Sequence, residues 1–113
     1  MTPARAIAML DRQIARHGET VTLKRVAPNA PAVTHDVKAF MRGYSAEELI
    51  GGIAAGDSEI ALSPTSLAGS AFEAALPERG DQVTAAGRLR RIEFAVPVRL
   101  DGTLVRMNLT VRG

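Results

Sequence analysis

Few residues in this chain are placed to do chemistry. His17 and His35 are the two imidazoles, and no HxxxH or similar spacing groups them. There is no cysteine, which removes a thiol nucleophile and a thiolate metal site. Both histidines, one at a helix end and one at a strand start, are expected at the surface. The acids form two sequence pairs, Glu47-Glu48 and Asp57/Glu59. A general acid needs a carboxyl whose pKa is raised by burial. Both pairs lie in polar, glycine-flanked stretches, so a solvated surface is expected. GGIAAGD (51–57) shares glycines with phosphate-binding loops but lacks the GK[ST] ending and a following helix. Ser63 and Ser66 lack the flanking glycines of a nucleophile elbow. These absences predict neither an enzyme nor a cofactor.

Basic residues offer more. Lys and Arg number 14 against 12 Asp and Glu, a net charge of +2, and the only lysines are Lys24 and Lys38. Arginine makes two-pronged contacts with carboxylates and phosphates alike. Arg88, Arg90 and Arg91 form the densest cluster. They suit either a DNA backbone or a solvated strand start that pairs with neighbouring acids. At +2, strong non-specific nucleic-acid binding is not indicated. Four aromatics (Phe40, Tyr44, Phe72, Phe94) and no Trp are thin for a base-stacking platform.

The elements that carry these residues can be read from periodicity. Thr2-Pro3 is a cap followed by a proline at the first helical position. Ile7, Leu10 and Ile14 then share one face, with Arg5, Arg12 and Arg16 off it, and Gly18 is a natural stop. A helix over about 3–17 is predicted. Strands are predicted over 19–26 (Val21 and Leu23 inward), 35–43 (Val37, Ala39, Met41), 59–63 (Ile60, Leu62) and 82–85. Residues 64–76 read as a short helix or ordered loop. Tyr44 to Asp57, with a Ser45/Glu48 capping box and Gly51, Gly52 and Gly56, reads as a long loop between strands.

The strongest local signal is Asp101-Gly102, a two-residue primed hairpin turn. Its register sets Val98 against Val105, Val96 against Met107, Phe94 against Leu109 and Ile92 against Val111. Four apolar pairs on one face predict a buried ribbon. Arg91, Glu93, Arg99, Arg106, Asn108 and Arg112 are then turned outward, with Leu104 the apolar exception. Pro97 falls opposite Arg106, and its missing N–H predicts an edge, bulge or seam on the strand's other side. The 113 residues suit one domain. The fold class expected is mainly β: a small antiparallel β-barrel of about six strands at 19–113, with an N-terminal α-helix and a long inter-strand loop. No apolar run reaches the roughly 20 residues of a membrane span, and residues 1–18 do not read as a secretory signal.

In order, the chain carries a helix, VTLKRV, a RGYSAEELIGGIAAGD loop, EIALSPTSL, PERGDQV and a PVRLDGTLVRMNLTVRG hairpin. From Glu19 to Gly113 this resembles the head-closure, or stopper, head–tail joining proteins of long-tailed bacteriophages and prophages. The resemblance implies a non-enzymatic virion neck protein with a small β-barrel, made in the bacterial host cytoplasm. It implies a homo-oligomeric ring, commonly a hexamer, below the portal and adaptor and above tail-terminator or tail-tube proteins, with duplex DNA in its lumen. It offers Tyr44, Glu47, Glu48, Gly51, Gly52, Gly56 and Asp57 as a channel or plug loop. Arg88, Arg90, Arg91, Arg99, Arg106 and Arg112 are the candidates to face a neighbouring subunit or DNA. A tail-terminator or tail-completion ring is the nearest alternative, and a small nucleic-acid-binding barrel a more distant one.

Overall fold

The computed structural model describes residues 2–43 and 57–113. Helix α1 spans Pro3–His17, as the sequence predicts. The Thr2 side chain accepts the Arg5 N–H at 3.2 Å, which satisfies one of the free donors of the first turn. Leu10 and Ile14 are buried. Gly18 ends the helix with φ −81°, an extended backbone rather than the left-handed one that usually calls for glycine there.

Six strands follow among the described residues: β1 (Glu19–Arg25), β2 (Val33–Gly43), β3 (Ser58–Leu62), β4 (Gln82–Ala85), β5 (Arg88–Leu100) and β6 (Thr103–Arg112). Two short helical turns, α2 (Pro64–Leu67) and α3 (Ala71–Ala74), lie between β3 and β4. Ser63 and Ser70 cap them, accepting the Thr65 and Phe72 N–H groups. Pairing is antiparallel throughout, in the order β1-β2-β3-β6-β5-β4, and β4 returns to β1 to close a barrel. The predicted inward residues Val21, Leu23, Val37, Ala39, Ile60 and Leu62 are all core, and Leu67 and Phe72 join it from α2 and α3. Ala61 is buried as well, so β3 is covered on both faces.

Both tight hairpins use the primed turn. Ala86 and Gly87 have φ 52° and 75°, and Asp101 and Gly102 have φ 51° and 76°. Alanine is poorly suited to a left-handed position, which asparagine or glycine tolerates. Ala86→Asn is therefore expected to raise stability by about 0.5–1 kcal/mol. The check is a higher denaturation midpoint with an unchanged slope.

The terminal ribbon differs from its sequence reading. Leu100 pairs with Thr103 and Arg99 with Leu104, as the turn dictates. A bulge then leaves Val105 over, and the register becomes Val98 to Arg106, Pro97 to Met107, Val96 to Asn108, Ala95 to Leu109 and Phe94 to Thr110. A second bulge at Glu93 restores Ile92 to Val111. Between the two bulges β5 is turned over relative to β6. Ile92 is fully buried as expected, but Phe94, Val96 and Val98 are 39%, 54% and 36% exposed. Ala95 and Pro97 stand opposite Leu109 and Met107 instead, Ala95 half-buried and Pro97 exposed near the end of the ribbon. One inserted residue is enough to exchange the two faces of a strand, because side chains alternate with a period of two.

Candidate functional site

The two bulges build an exposed surface on β5. Its outward residues Phe94, Val96 and Val98 stand in a row, and Leu89 further along the same strand is also exposed. This segment is paired on one side only. β4 reaches Arg88–Arg91, and two further backbone bonds follow, where Ile92 donates to the Asp81 carbonyl at 2.9 Å and accepts from the Gly80 N–H at 3.1 Å. Beyond them, residues 94–100 have β6 as their sole partner strand among the described residues. Pro97 lies within this one-sided stretch. A groove of about 270 Å³ continues the apolar surface, lined by Ala6, Met9, Leu10 and Gln13 of α1 with Val98 and Val105 of the ribbon. An unpaired strand edge flanked by exposed large apolar side chains is a surface that another chain can cover by strand addition and side-chain burial.

A cluster of ion pairs holds the Glu93 bulge in place. Arg112 grips Asp57 through two bonds of 2.8 and 2.9 Å and reaches Glu93 at 2.9 Å, while Arg91 donates to Glu93 at 3.0 Å. Asp57 is buried, which corrects the expectation that it lies in a solvated stretch. Glu59 likewise is half-buried, within ion-pair distance of Arg42 and Arg106 at 3.4 and 3.9 Å. The Arg91 hydrogen bond keeps the Glu93 carboxyl below the usual 4.5, the Arg91 and Arg112 charges reinforcing it and burial opposing it. The Asp57 hydrogen bond raises Arg112 above its ordinary value. A depressed carboxyl stabilises the fold fully above its unfolded pKa, and that contribution is lost as pH falls through the folded value. Glu93→Gln is thus expected to lower stability at neutral pH, and the gap to the native chain should narrow below pH 4.5. Unfolding curves across that range check it.

The arginines predicted to face outward are mostly occupied. Arg90 is buried and donates to the Ala85 carbonyl at 3.3 Å. Arg91 and Arg112 belong to the bulge cluster, and Arg106 donates to Asn108 at 2.7 Å. Arg88 and Arg99 are exposed and have no ion pair among the described residues. Instead of an arginine face, β5 shows an apolar one. The reason is legible afterwards: all five residues from Phe94 to Val98 are apolar, so alternation cannot select which side is buried.

Tyr44, Glu47, Glu48, Gly51, Gly52 and Gly56 lie outside the described residues. His17 is exposed as expected, but His35 is half-buried and its Nε2–H donates to the Ser66 carbonyl at 2.8 Å. No three metal-capable side chains converge among the described residues, and no described helix is long and apolar enough to cross a membrane. No protein-family model, curated protein or solved structure matches the chain.

Proposed function

We propose that this chain is a ring-forming head-closure or stopper protein of a long-tailed phage or prophage. In this reading it is not an enzyme and uses no cofactor. It acts by assembly, below the portal and adaptor, where it retains packaged DNA and offers a docking surface to the tail. The order of sequence segments motivates the family, and one structural observation supports assembly as the mode of action. That observation is the one-sided stretch of β5 with Phe94, Val96 and Val98 turned outward. A lone barrel has no use for such an edge, whereas a ring subunit needs one that its neighbour covers.

The isolated chain is expected to be a monomer or weak oligomer at micromolar concentration, with assembly templated by the portal and adaptor. Particles lacking the protein should show emptied heads and separate full-length tails by negative-stain microscopy. Val96→Glu replaces an exposed side chain and should leave the barrel folded, because surface changes of this kind alter stability little. It should nevertheless fail to restore joined particles. Full restoration by Val96→Glu would remove the β5 edge from the assembly. Mutant particles that keep both DNA and tails would remove the neck role itself. Filled heads with aberrant tails would favour the tail-terminator alternative.

A further inference from the structure

With most of the ribbon arginines held in internal pairs, and Arg88 and Arg99 standing apart on β5, a row of free positive charge lies on α1. Arg5, Arg12 and Arg16 are all exposed, and none has an ion pair among the described residues. At 3.6 residues per turn they fall within an arc of about 40°, and Ile14 lies on the opposite side of the helix. The only acid in α1, Asp11, is about 120° away from that row and accepts a hydrogen bond from Thr65. The row is therefore unmixed in sign. Along the axis the three residues span roughly 16 Å at 1.5 Å per residue.

Helix stability does not account for this row. Arg16 and His17 sit in the last turn, where a cation is favoured, but Arg5 is in the first turn, which holds no acid. A positive charge there opposes the helix dipole. Nor does the row cover apolar core, since it faces away from Leu10 and Ile14. An exposed row of one sign complements an external anion with regularly repeated charge. Duplex nucleic acid carries about one phosphate per 1.7 Å of axis, so a length matching this row holds roughly ten charges, and those on the near side lie within reach of the arginines. The helix has no Phe, Tyr or Trp, the large rings on which unpaired bases stack, which favours duplex over single strand.

We propose that the Arg5/Arg12/Arg16 face of α1 is a contact surface for the phosphate backbone of duplex DNA. This deepens the neck reading, on which it rests for the identity of the polyanion, by naming the face that lines the lumen. The contact carries no sequence preference, because arginines that meet phosphates position without reading bases.

The test uses the full chain and a short mixed-sequence duplex, titrated at several salt concentrations and followed by NMR. The native chain should bind at low salt, with shifts confined to α1. Arg5→Ala/Arg12→Ala/Arg16→Ala should lose that binding and reduce the slope of log K against log salt by about 3, at roughly 0.9 per phosphate contact. Alanine is the best helix former, so the variant should retain α1, as circular dichroism can verify. Arg88→Ala/Arg99→Ala removes two other exposed cations, away from α1, and should leave binding unchanged.

Several results would overturn the proposal: no binding by the native chain at low salt, a triple variant with native slope, or equal loss in the Arg88/Arg99 variant. Equal binding to anionic lipid vesicles, or a salt-sensitive self-association that the triple variant abolishes, would do the same by assigning the row to another partner. None of these outcomes bears on whether particles lacking the protein fall apart into heads and tails, so the two readings fail separately.

Discussion

Arg25→Ala is expected to destabilise the barrel by about 3–5 kcal/mol, a large share of the stability of a domain this size. Arg25 ends β1 and ties the 64–81 segment to the sheet. Its Nε and Nη2 meet the two Asp81 carboxylate oxygens at 3.1 and 2.7 Å. Its Nη1 and Nη2 also donate to the Ala75 and Leu76 carbonyls at 3.0 and 2.9 Å. The guanidinium lies over the Phe72 ring, 4.8 Å from its centroid, and Phe72 is fully buried in the core. The hydrogen bond to Asp81 comes first among the causes that raise the Arg25 pKa, with burial opposing it. Truncation would leave a buried carboxylate and two carbonyls without their donor, and it would uncover an aromatic ring. Among the described residues, the Asp81 carboxylate would keep only the Glu78 N–H at 3.0 Å. Arg25→Lys should recover less than half of the loss, because an ammonium cannot present the planar fork that meets both oxygens and both carbonyls. The measurement is a denaturant midpoint. A loss below about 1 kcal/mol, the usual range of an exposed ion pair, would show that the clamp is dispensable.

Gly18→Ala should cost about 2–3 kcal/mol, although its backbone is one that alanine readily adopts. A Cβ at this position would collide with the Ile14 carbonyl oxygen, and it would lie 2.8 Å from the Ala39 carbonyl oxygen and 2.9 Å from Ile14 Cγ2. Two of the three obstacles are main chain, one in the last turn of α1 and one in β2, so a side-chain rotation cannot relieve them. The Gly18 N–H is bonded to that same Ile14 carbonyl at 2.7 Å, which fixes the approach. Relief requires α1 to move off β2 and open the contact that buries Ile14. The entropy gained by replacing glycine in the unfolded chain returns only about 0.4–1 kcal/mol. Thermal unfolding should show a midpoint lower by roughly 10 °C or more. A neutral result would mean that the helix re-seats without cost.

These two sites show different limits of sequence reading. Gly18 is visible as a helix stop, but the familiar reason for such a glycine, a left-handed backbone, is not the reason here. Its role comes from β2, 21 residues further along. Arg25 gives no sequence signal at all. Its partners Phe72, Ala75, Leu76 and Asp81 lie about 50 residues away and contain no recognisable spacing. The Asp57–Arg112–Glu93 cluster is hidden in the same way, since each member alone reads as an exposed charge.

The ribbon marks the boundary most sharply. As read from the turn, it would hide Ile92, Phe94, Val96 and Val98; of these, only Ile92 is buried. The barrel survives that reversal because β6 supplies Val105, Met107, Leu109 and Val111 to the interior in either register. On β6 every second residue from Arg106 to Arg112 is polar, so burial selects one face without ambiguity. On β5 both faces are apolar from 94 to 98, and the selection passes to groups elsewhere in the chain.

By itself, the amino-acid order determined α1 and its cap, the primed turn at Asp101-Gly102, the inward residues of β1, β2, β3 and β6, and a mainly antiparallel β fold of about six strands. Each of these follows from spacing within a dozen residues or from a turn that permits one backbone conformation. Only the tertiary structure decided which side of β5 meets solvent, which arginines are tied down and which are free. Those outcomes depend on two single-residue bulges and on ion pairs such as Arg112–Glu93, Arg112–Asp57 and Arg25–Asp81, which are 19, 55 and 56 positions apart, and no local pattern records distances of that kind.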